Sequence, residues 1–172
     1  MLIQDNINWL REKSKPQYSE LGHRNTNMFQ FSVREQKLSI PYVEGLIHRS
    51  THKVGEDYLY VRSKSEAIIV NELESQGIDF EYEQLLECND GKKFIPDFTF
   101  SDMFGKRIIW EHLGMLGVAE YKSSWENKLK AYKEAGYSFE NGNLFTSEDK
   151  PNGSIDTVAV LEIIEKIKDK LS

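Results

Sequence analysis

The chain has 172 residues, of which 39% are apolar and 12% are aromatic. This length suits one domain with at most one extension, and this composition excludes wholesale disorder. A single cysteine excludes an internal disulfide scaffold and a cysteine-based zinc module, so we expect a reducing cytoplasm. No apolar run approaches the ~20 residues of a membrane-spanning helix, and the charges near the N-terminus are not those of a signal peptide.

The net charge of −6 hides a split between the two parts of the chain. Residues 1–64 carry 10 Lys and Arg against 7 Asp and Glu, whereas residues 65–172 carry 12 against 21. His23, His48 and His52 also lie in the first part. The overall charge argues mildly against a nucleic-acid partner, but the basic first part keeps such a partner open.

The N-terminal third gives weaker patterns than the rest of the chain. One or two short helices are predicted within residues 5–37, and residues 41–62 are predicted to be a loop with some strand at 58–61. The clear periodic pattern begins at residue 63. We therefore divide the chain into a helical N-terminal extension with a loop over residues 1–62 and a core over residues 63–172.

The core pattern predicts an alternation of helices and strands. The predicted elements are a helix at 63–77, strands at 78–87, 92–100 and 106–114, a helix at 120–136, a strand at 143–147 and a helix at 155–171. In the last helix, Val158, Leu161, Ile164 and Ile167 are predicted to face inward. The order predicts an α/β fold with a mixed sheet flanked by helices.

Three acidic residues lie where apolar residues are expected. Asp97 lies inside FIPDFTF, Glu111 inside IIWEHL, and Glu66 on the inward stripe of the first core helix. A carboxylate directed toward a core costs several kcal/mol unless it is paired or binds a metal. Three converging carboxylates would repel one another unless a divalent cation held them, and hard oxygen ligands suit Mg²⁺ or Mn²⁺.

Each of these acids also has a purely structural explanation. Glu66 fits the fourth position of a capping box that begins at Ser63. Asp97 follows Pro96 and fits a turn or an edge strand. Glu111 fits a buried ion pair. The sequence leaves these alternatives open.

The arrangement of Pro96-Asp97, a spacer and then Glu111 on an apolar strand, with a glutamate on the preceding helix, resembles the PD-(D/E)XK nuclease superfamily. Within that superfamily, the sequence most resembles the restriction-endonuclease-like domains linked to superfamily 1 helicases. The resemblance covers about residues 60–150. It implies a restriction-endonuclease-like fold with an α-β-β-β-α-β core and a Mg²⁺-dependent deoxyribonuclease activity.

The resemblance also implies which groups hold the metal and perform the reaction. One or two Mg²⁺ ions would be held by Glu66, Asp97, Glu111 and the backbone carbonyl of His112. The ring of His112, on the face opposite Glu111, is expected to be packed or hydrogen-bonded.

One departure from the family pattern concerns its lysine, because the expected position holds Leu113. Lys128 is the predicted substitute, and Lys128-x-x-x-Tyr132 lies where related nucleases carry a Q-x-x-x-Y motif. Tyr132, Glu83 and Gln84 are predicted at the edge of the site. The departure leaves open a degenerate domain that binds nucleic acid or a partner protein without cutting.

Basic residues that precede the first core helix are candidate contacts to DNA. They are Arg49, Lys53, Arg62 and Lys64. Ordinary loop solvation is the alternative for these side chains. A helicase or another DNA-processing partner and a homodimer are left open, and an α/β interaction domain without a nucleic-acid role is the remaining alternative.

Overall fold

The computed structural model of the protein describes residues 46, 48–114, 117 and 119–172, which form a mixed α/β structure. The elements are β1 His48–Val54, β2 Asp57–Val61, α1 Lys64–Ser75, β3 Glu81–Tyr82, β4 Leu86–Glu87, β5 Lys93–Phe94, β6 Phe98–Ser101, β7 Arg107–Leu113, α2 Ala119–Glu134, β8 Leu144–Glu148 and α3 Thr157–Leu171. No helix in this part of the chain is long and apolar enough to cross a membrane. The helices predicted within residues 5–37 lie outside the described residues.

The chain divides into two compact units. The first comprises the described residues up to Gly77 together with Leu85–Glu87 and Gly91–Ile95. The second comprises Ile78–Gln84, Cys88–Asp90 and Pro96–Ser172. The division predicted at residue 62 falls between β2 and α1, which the structure places in the same unit.

The first unit contains a hairpin that the sequence did not predict in full. β1 and β2 pair antiparallel, with a turn at Gly55, whose φ of 65° favours glycine. The prediction of a loop before residue 58 was wrong, because β1 occupies that segment. β1 escapes a pattern search because its residues are mostly polar and only Ser50 is buried, so no apolar alternation marks it.

Helix α1 packs against this hairpin and confirms the helix predicted there. Ile69, Val70 and Leu73 are fully buried, as their helical spacing predicts. Two side-chain ties join the hairpin to the helix: the Thr51 N–H donates to Asn71 Oδ1 over 2.8 Å, and His52 Nδ1 lies 2.6 Å from Glu74 Oε2.

The second unit contains a four-stranded sheet in the order β3-β6-β7-β8. β3, β6 and β7 pair antiparallel and β8 joins β7 in parallel, so the predicted mixed sheet is confirmed. The strands predicted at 78–87 and 92–100 are each interrupted. The first breaks after β3 at Glu83, whose φ is 47°, and the second breaks at Pro96.

Helix α3 lies against β8, but its buried face differs from the predicted one. Val158 and Leu161 were predicted inward and are 65% and 40% exposed. The buried residues are Val160, Ile163, Ile164 and Ile167. The four residues predicted to face inward are spaced three apart, so each lies about 60° around the helix from the one before. The four buried residues instead follow the i, i+3, i+4, i+7 pattern, which keeps them on one face.

Candidate active site

The two strand carboxylates singled out by the sequence lie side by side in the second unit. β6 and β7 pair antiparallel with Phe98 opposite Trp110, so one further step of this register sets Asp97 opposite Glu111. The main-chain N–H of His112 donates to Asp97 Oδ2 over 2.8 Å. Because directly opposed residues on antiparallel strands point to the same face with Cβ atoms about 5 Å apart, these carboxylates can act on one ligand.

Two side chains of helix α2 contact the carboxylate of Glu111. Its side chain is 4% exposed, and Lys128 Nζ lies 2.6 Å from its Oε1. The hydroxyl of fully buried Tyr132 donates to the same oxygen. Lys128 and Tyr132 reach one atom together because residues four apart lie on the same face of a helix.

The pKa of the Tyr132 phenol is raised well above its ordinary value. Burial is the main cause, and the negative charge of Glu111 is the second. The hydroxyl is therefore protonated at neutral pH and donates to the carboxylate. Glu111 has the buried ion pair that the sequence left open as its structural explanation. The same contact brings Lys128 to Glu111, while Leu113 is buried as an apolar residue.

Glu83 and Gln84 directly follow β3, the strand that pairs with β6. The main-chain N–H of Glu83 donates to the Asp97 carbonyl over 3.0 Å, so Glu83, Asp97 and Glu111 follow one another across three strands. A positive φ is uncommon for a glutamate and marks an irregular backbone beside the site. Gln84 Nε2 donates to the Tyr82 carbonyl, so its amide is directed back to its own strand.

The donor set around Asp97 fits a hard cation in its chemistry. Among the described residues, no group of three or more His, Cys, Asp or Glu side chains is arranged to hold a metal ion. The two carboxylates and the His112 carbonyl are nevertheless the oxygen ligands that Mg²⁺ prefers. Thr99, two residues after Asp97 and on the same face, has a buried hydroxyl that finds no hydrogen-bond partner among the described residues. Such an orphaned oxygen marks a place for an ordered water or ion.

Glu66, the third predicted ligand, belongs to the first unit. Ser63 is the N-cap of α1 and its Oγ accepts from the Glu66 N–H over 3.1 Å, while Glu66 Oε2 accepts from the Arg62 N–H over 3.0 Å. These bonds satisfy the start of the helix, in agreement with the capping alternative. The convergence of Glu66 with the two strand carboxylates stays a prediction, because those lie in the second unit.

The predicted DNA-contact residues also lie in the first unit. The Arg49 guanidinium lies 3.8 Å from the centroid of the Tyr58 ring, and Lys53 Nζ lies 5.7 Å from the same centroid. Within the described part of the chain, neither cation has an acidic partner. Lys64 is exposed at the start of α1, and Arg62 is half-buried just before it.

The His112 ring is buried and hydrogen-bonded on the other face of β7, as predicted, but sequence reasoning missed the polar cluster that holds it. Trp110 Nε1 donates to Ser147 Oγ over 3.0 Å, and His112 Nδ1 lies 2.8 Å from the same oxygen. His112 Nε2 lies 3.2 Å from Asp149 Oδ1. The polar residues at the end of β8 were visible in the sequence, but nothing there showed that β8 pairs with β7 in the register that sets Ser147 beside His112.

Comparisons with known proteins relate the chain to an uncharacterized protein. No family model matches the chain, and no solved structure matches it. The chain is 30% identical over 167 residues to the uncharacterized protein MJ1519 of Methanocaldococcus jannaschii. The match covers 87% of the chain but only 13% of that protein, so the chain spans a small part of its relative.

Proposed function

We propose that this protein is a metal-dependent nuclease of the PD-(D/E)XK type, with a restriction-endonuclease-like fold, that hydrolyses phosphodiester bonds in DNA. The observation that carries the proposal is the meeting of Asp97, Glu111 and Lys128 in one place. Asp97 directly precedes β6, one step beyond the paired Phe98 and Trp110, and accepts from the His112 N–H beside Glu111. Lys128 Nζ lies 2.6 Å from Glu111 Oε1. Two carboxylates and an ammonium are the residue types that this chemistry requires.

Each side chain has a role that its contacts support. Asp97 and Glu111, with the His112 carbonyl, would hold Mg²⁺ or Mn²⁺. The bound metal supplies an activated water and stabilises charge on the scissile phosphate. Tyr132 holds one oxygen of Glu111 in a fixed orientation through its hydroxyl. Such fixed geometry is what an active site needs from its supporting residues.

Lys128 takes the place of the lysine that the family pattern expects at Leu113. It comes from helix α2 rather than from β7, but its ammonium reaches the same carboxylate. When Glu111 shares its charge with a cation, the ammonium can turn toward the non-bridging oxygens of the phosphate. There it would stabilise the charge that develops during hydrolysis.

A second candidate is a nuclease-fold domain that binds DNA without cutting. The observation that favours it is the neutralisation of Glu111 by Lys128, which lowers the negative charge available to a metal. The two candidates share the same DNA-binding residues and differ in metal binding. The helicase partner and the homodimer stay predictions, since the relative's name gives no activity.

DNA contact is proposed for the hairpin of the first unit. Arg49 and Lys53 are both exposed and both lie near the Tyr58 ring. Among the residues that the structure describes, neither cation has an acidic partner, so the phosphates of a polyanion would be their first anionic contacts there. The ties of Thr51 and His52 to α1 hold the hairpin in place. Arg and Lys commonly contact phosphate oxygens, so we place the hairpin on the DNA backbone.

The test is a cleavage assay on single- and double-stranded DNA with Mg²⁺, with Mn²⁺ and with a chelator. The native protein should cleave only with metal, and Asp97→Asn and Glu111→Gln should each lower the rate at least about a hundredfold. Glu148→Gln is the matched control, because this exposed glutamate on β8 should leave the rate unchanged. If the native protein binds DNA but neither cleaves it nor binds Mn²⁺, the second candidate is favoured. Equal cleavage by the native protein and both site variants would overturn the proposal.

A further inference from the structure

The polar cluster on the opposite face of β7 has the members of a hydrolytic triad. Ser147, His112 and Asp149 are linked in that order by contacts of 2.8 and 3.2 Å. His112 lies on the face of β7 opposite Glu111, because side chains alternate along a strand. The side chain of His112 is 2% exposed and that of Asp149 is 16% exposed.

The arrangement is not that of a nucleophilic site. In a serine hydrolase the Nε2 atom of the histidine takes the serine proton, whereas here Nδ1 faces the serine. Ser147 Oγ also accepts the indole N–H of Trp110, which occupies one of its lone pairs. The imidazole is buried, so a substrate cannot reach it. The cluster therefore holds the ring rather than performing a reaction on this face.

The main chain of His112 serves the other face of the sheet. Its N–H donates to Asp97 Oδ2 over 2.8 Å. β7 ends one residue later at Leu113, whose carbonyl accepts from the Asp149 N–H over 3.3 Å. Strand ends open more easily than strand centres unless they are tied. Here the tie comes from β8 and the residue after it.

We propose that Ser147 and Asp149 are positioning residues. By holding the His112 ring on one face of β7, they fix its main-chain N–H and carbonyl, and thereby fix Asp97 on the other face. The catalytic consequence rests on the proposed nuclease function, whereas the positioning itself does not. Residues that orient metal ligands in this way typically change metal affinity or activity by about 10- to 100-fold when removed.

Hydrogen exchange of the His112 amide, followed by NMR, reports directly on its hydrogen bond to Asp97 Oδ2. In Ser147→Ala and Asp149→Ala, exchange at this amide should be about fivefold faster or more, because loss of one hydrogen bond typically changes an equilibrium by about a factor of five. Amides of helix α3 should keep their native rates. The conservative variants Ser147→Thr and Asp149→Asn should restore slow exchange.

Glu148→Ala is the matched control, since this exposed residue lies between the two proposed positioning residues. It should leave exchange at the His112 amide unchanged. If one alanine variant fails to fold, the other carries the test. Unchanged exchange in every folded alanine variant would overturn the proposal.

The same variants separate this inference from the proposed function. If the native protein cleaves DNA, the alanine variants should lower kcat about tenfold or more with KM little changed. If the native protein neither binds Mn²⁺ nor cleaves, and the His112 amide still responds, then the nuclease function fails and the positioning role stands.

Discussion

Replacing Lys128 by methionine tests the pair on which the site depends. Lys128 Nζ and Glu111 Oε1 are 2.6 Å apart, and their side chains are 14% and 4% exposed. With an effective dielectric constant of about 20, the attraction is about 6 kcal/mol, and desolvation offsets much of it. Removing one partner of a buried pair costs about 3–5 kcal/mol, because the other charge stays buried. We expect about 3 kcal/mol for Lys128→Met, since Tyr132 still donates to the carboxylate.

The assay is urea unfolding of a double-mutant cycle. Lys128→Met, Glu111→Gln and the combined variant should give a coupling free energy of about 2 kcal/mol, because the combined variant leaves no unpaired charge. Lys130→Met is the control on the exposed face of the same helix and should change stability by less than about 0.5 kcal/mol. Equal stabilities of Lys128→Met and Lys130→Met, or a coupling near zero, would refute the reasoning.

Three further predictions concern pH, a helix cap and salt. Above about pH 10 stability should fall with rising pH, because the unfolded chain loses a phenol proton that buried Tyr132 keeps. Tyr132→Phe should reduce that slope by about 1.4 kcal/mol per pH unit in alkaline unfolding titrations, and an unchanged slope would contradict the pKa shift. Ser63→Ala should destabilise the first unit by about 1 kcal/mol in thermal unfolding, whereas Ser63→Asp should retain most of the stability; equal losses would exclude the cap. Charge reversal of Arg49 and Lys53 should weaken DNA binding and lower the salt slope by about 2, and Lys166→Glu on α3 serves as the control. If the charge-reversal variants and the native protein have the same salt slope, the hairpin does not contact DNA.

The class of the fold could be predicted from the sequence because its strongest signals are periodic. The apolar stripe of α1 and the alternation along β7 identify their elements directly. β1 could not be found in this way, since its residues are mostly polar and its pairing with β2 is a property of the folded chain. The inward face of α3 was misplaced because its first turns are apolar on more than one side.

Part of the candidate site is visible in the sequence because its residues interrupt an apolar pattern. Asp97 and Glu111 occupy polar positions in apolar strands, and such positions stand out in a sequence. Lys128 was found from its spacing to Tyr132 on one helix. Ser147 and Asp149 were missed because their relation to His112 depends on parallel pairing between strands more than thirty residues apart. No local pattern encodes that register.

The central claim is that Asp97 and Glu111 form a metal centre, and a calorimetric titration with Mn²⁺ tests it most directly. The native protein should bind Mn²⁺ with measurable heat, and the folded double variant Asp97→Asn/Glu111→Gln should lose at least about a hundredfold in affinity, because both anionic ligands become neutral amides. Glu148→Gln should bind as the native protein does. Absence of Mn²⁺ binding by the native protein, or native affinity in the double variant, would contradict the claim.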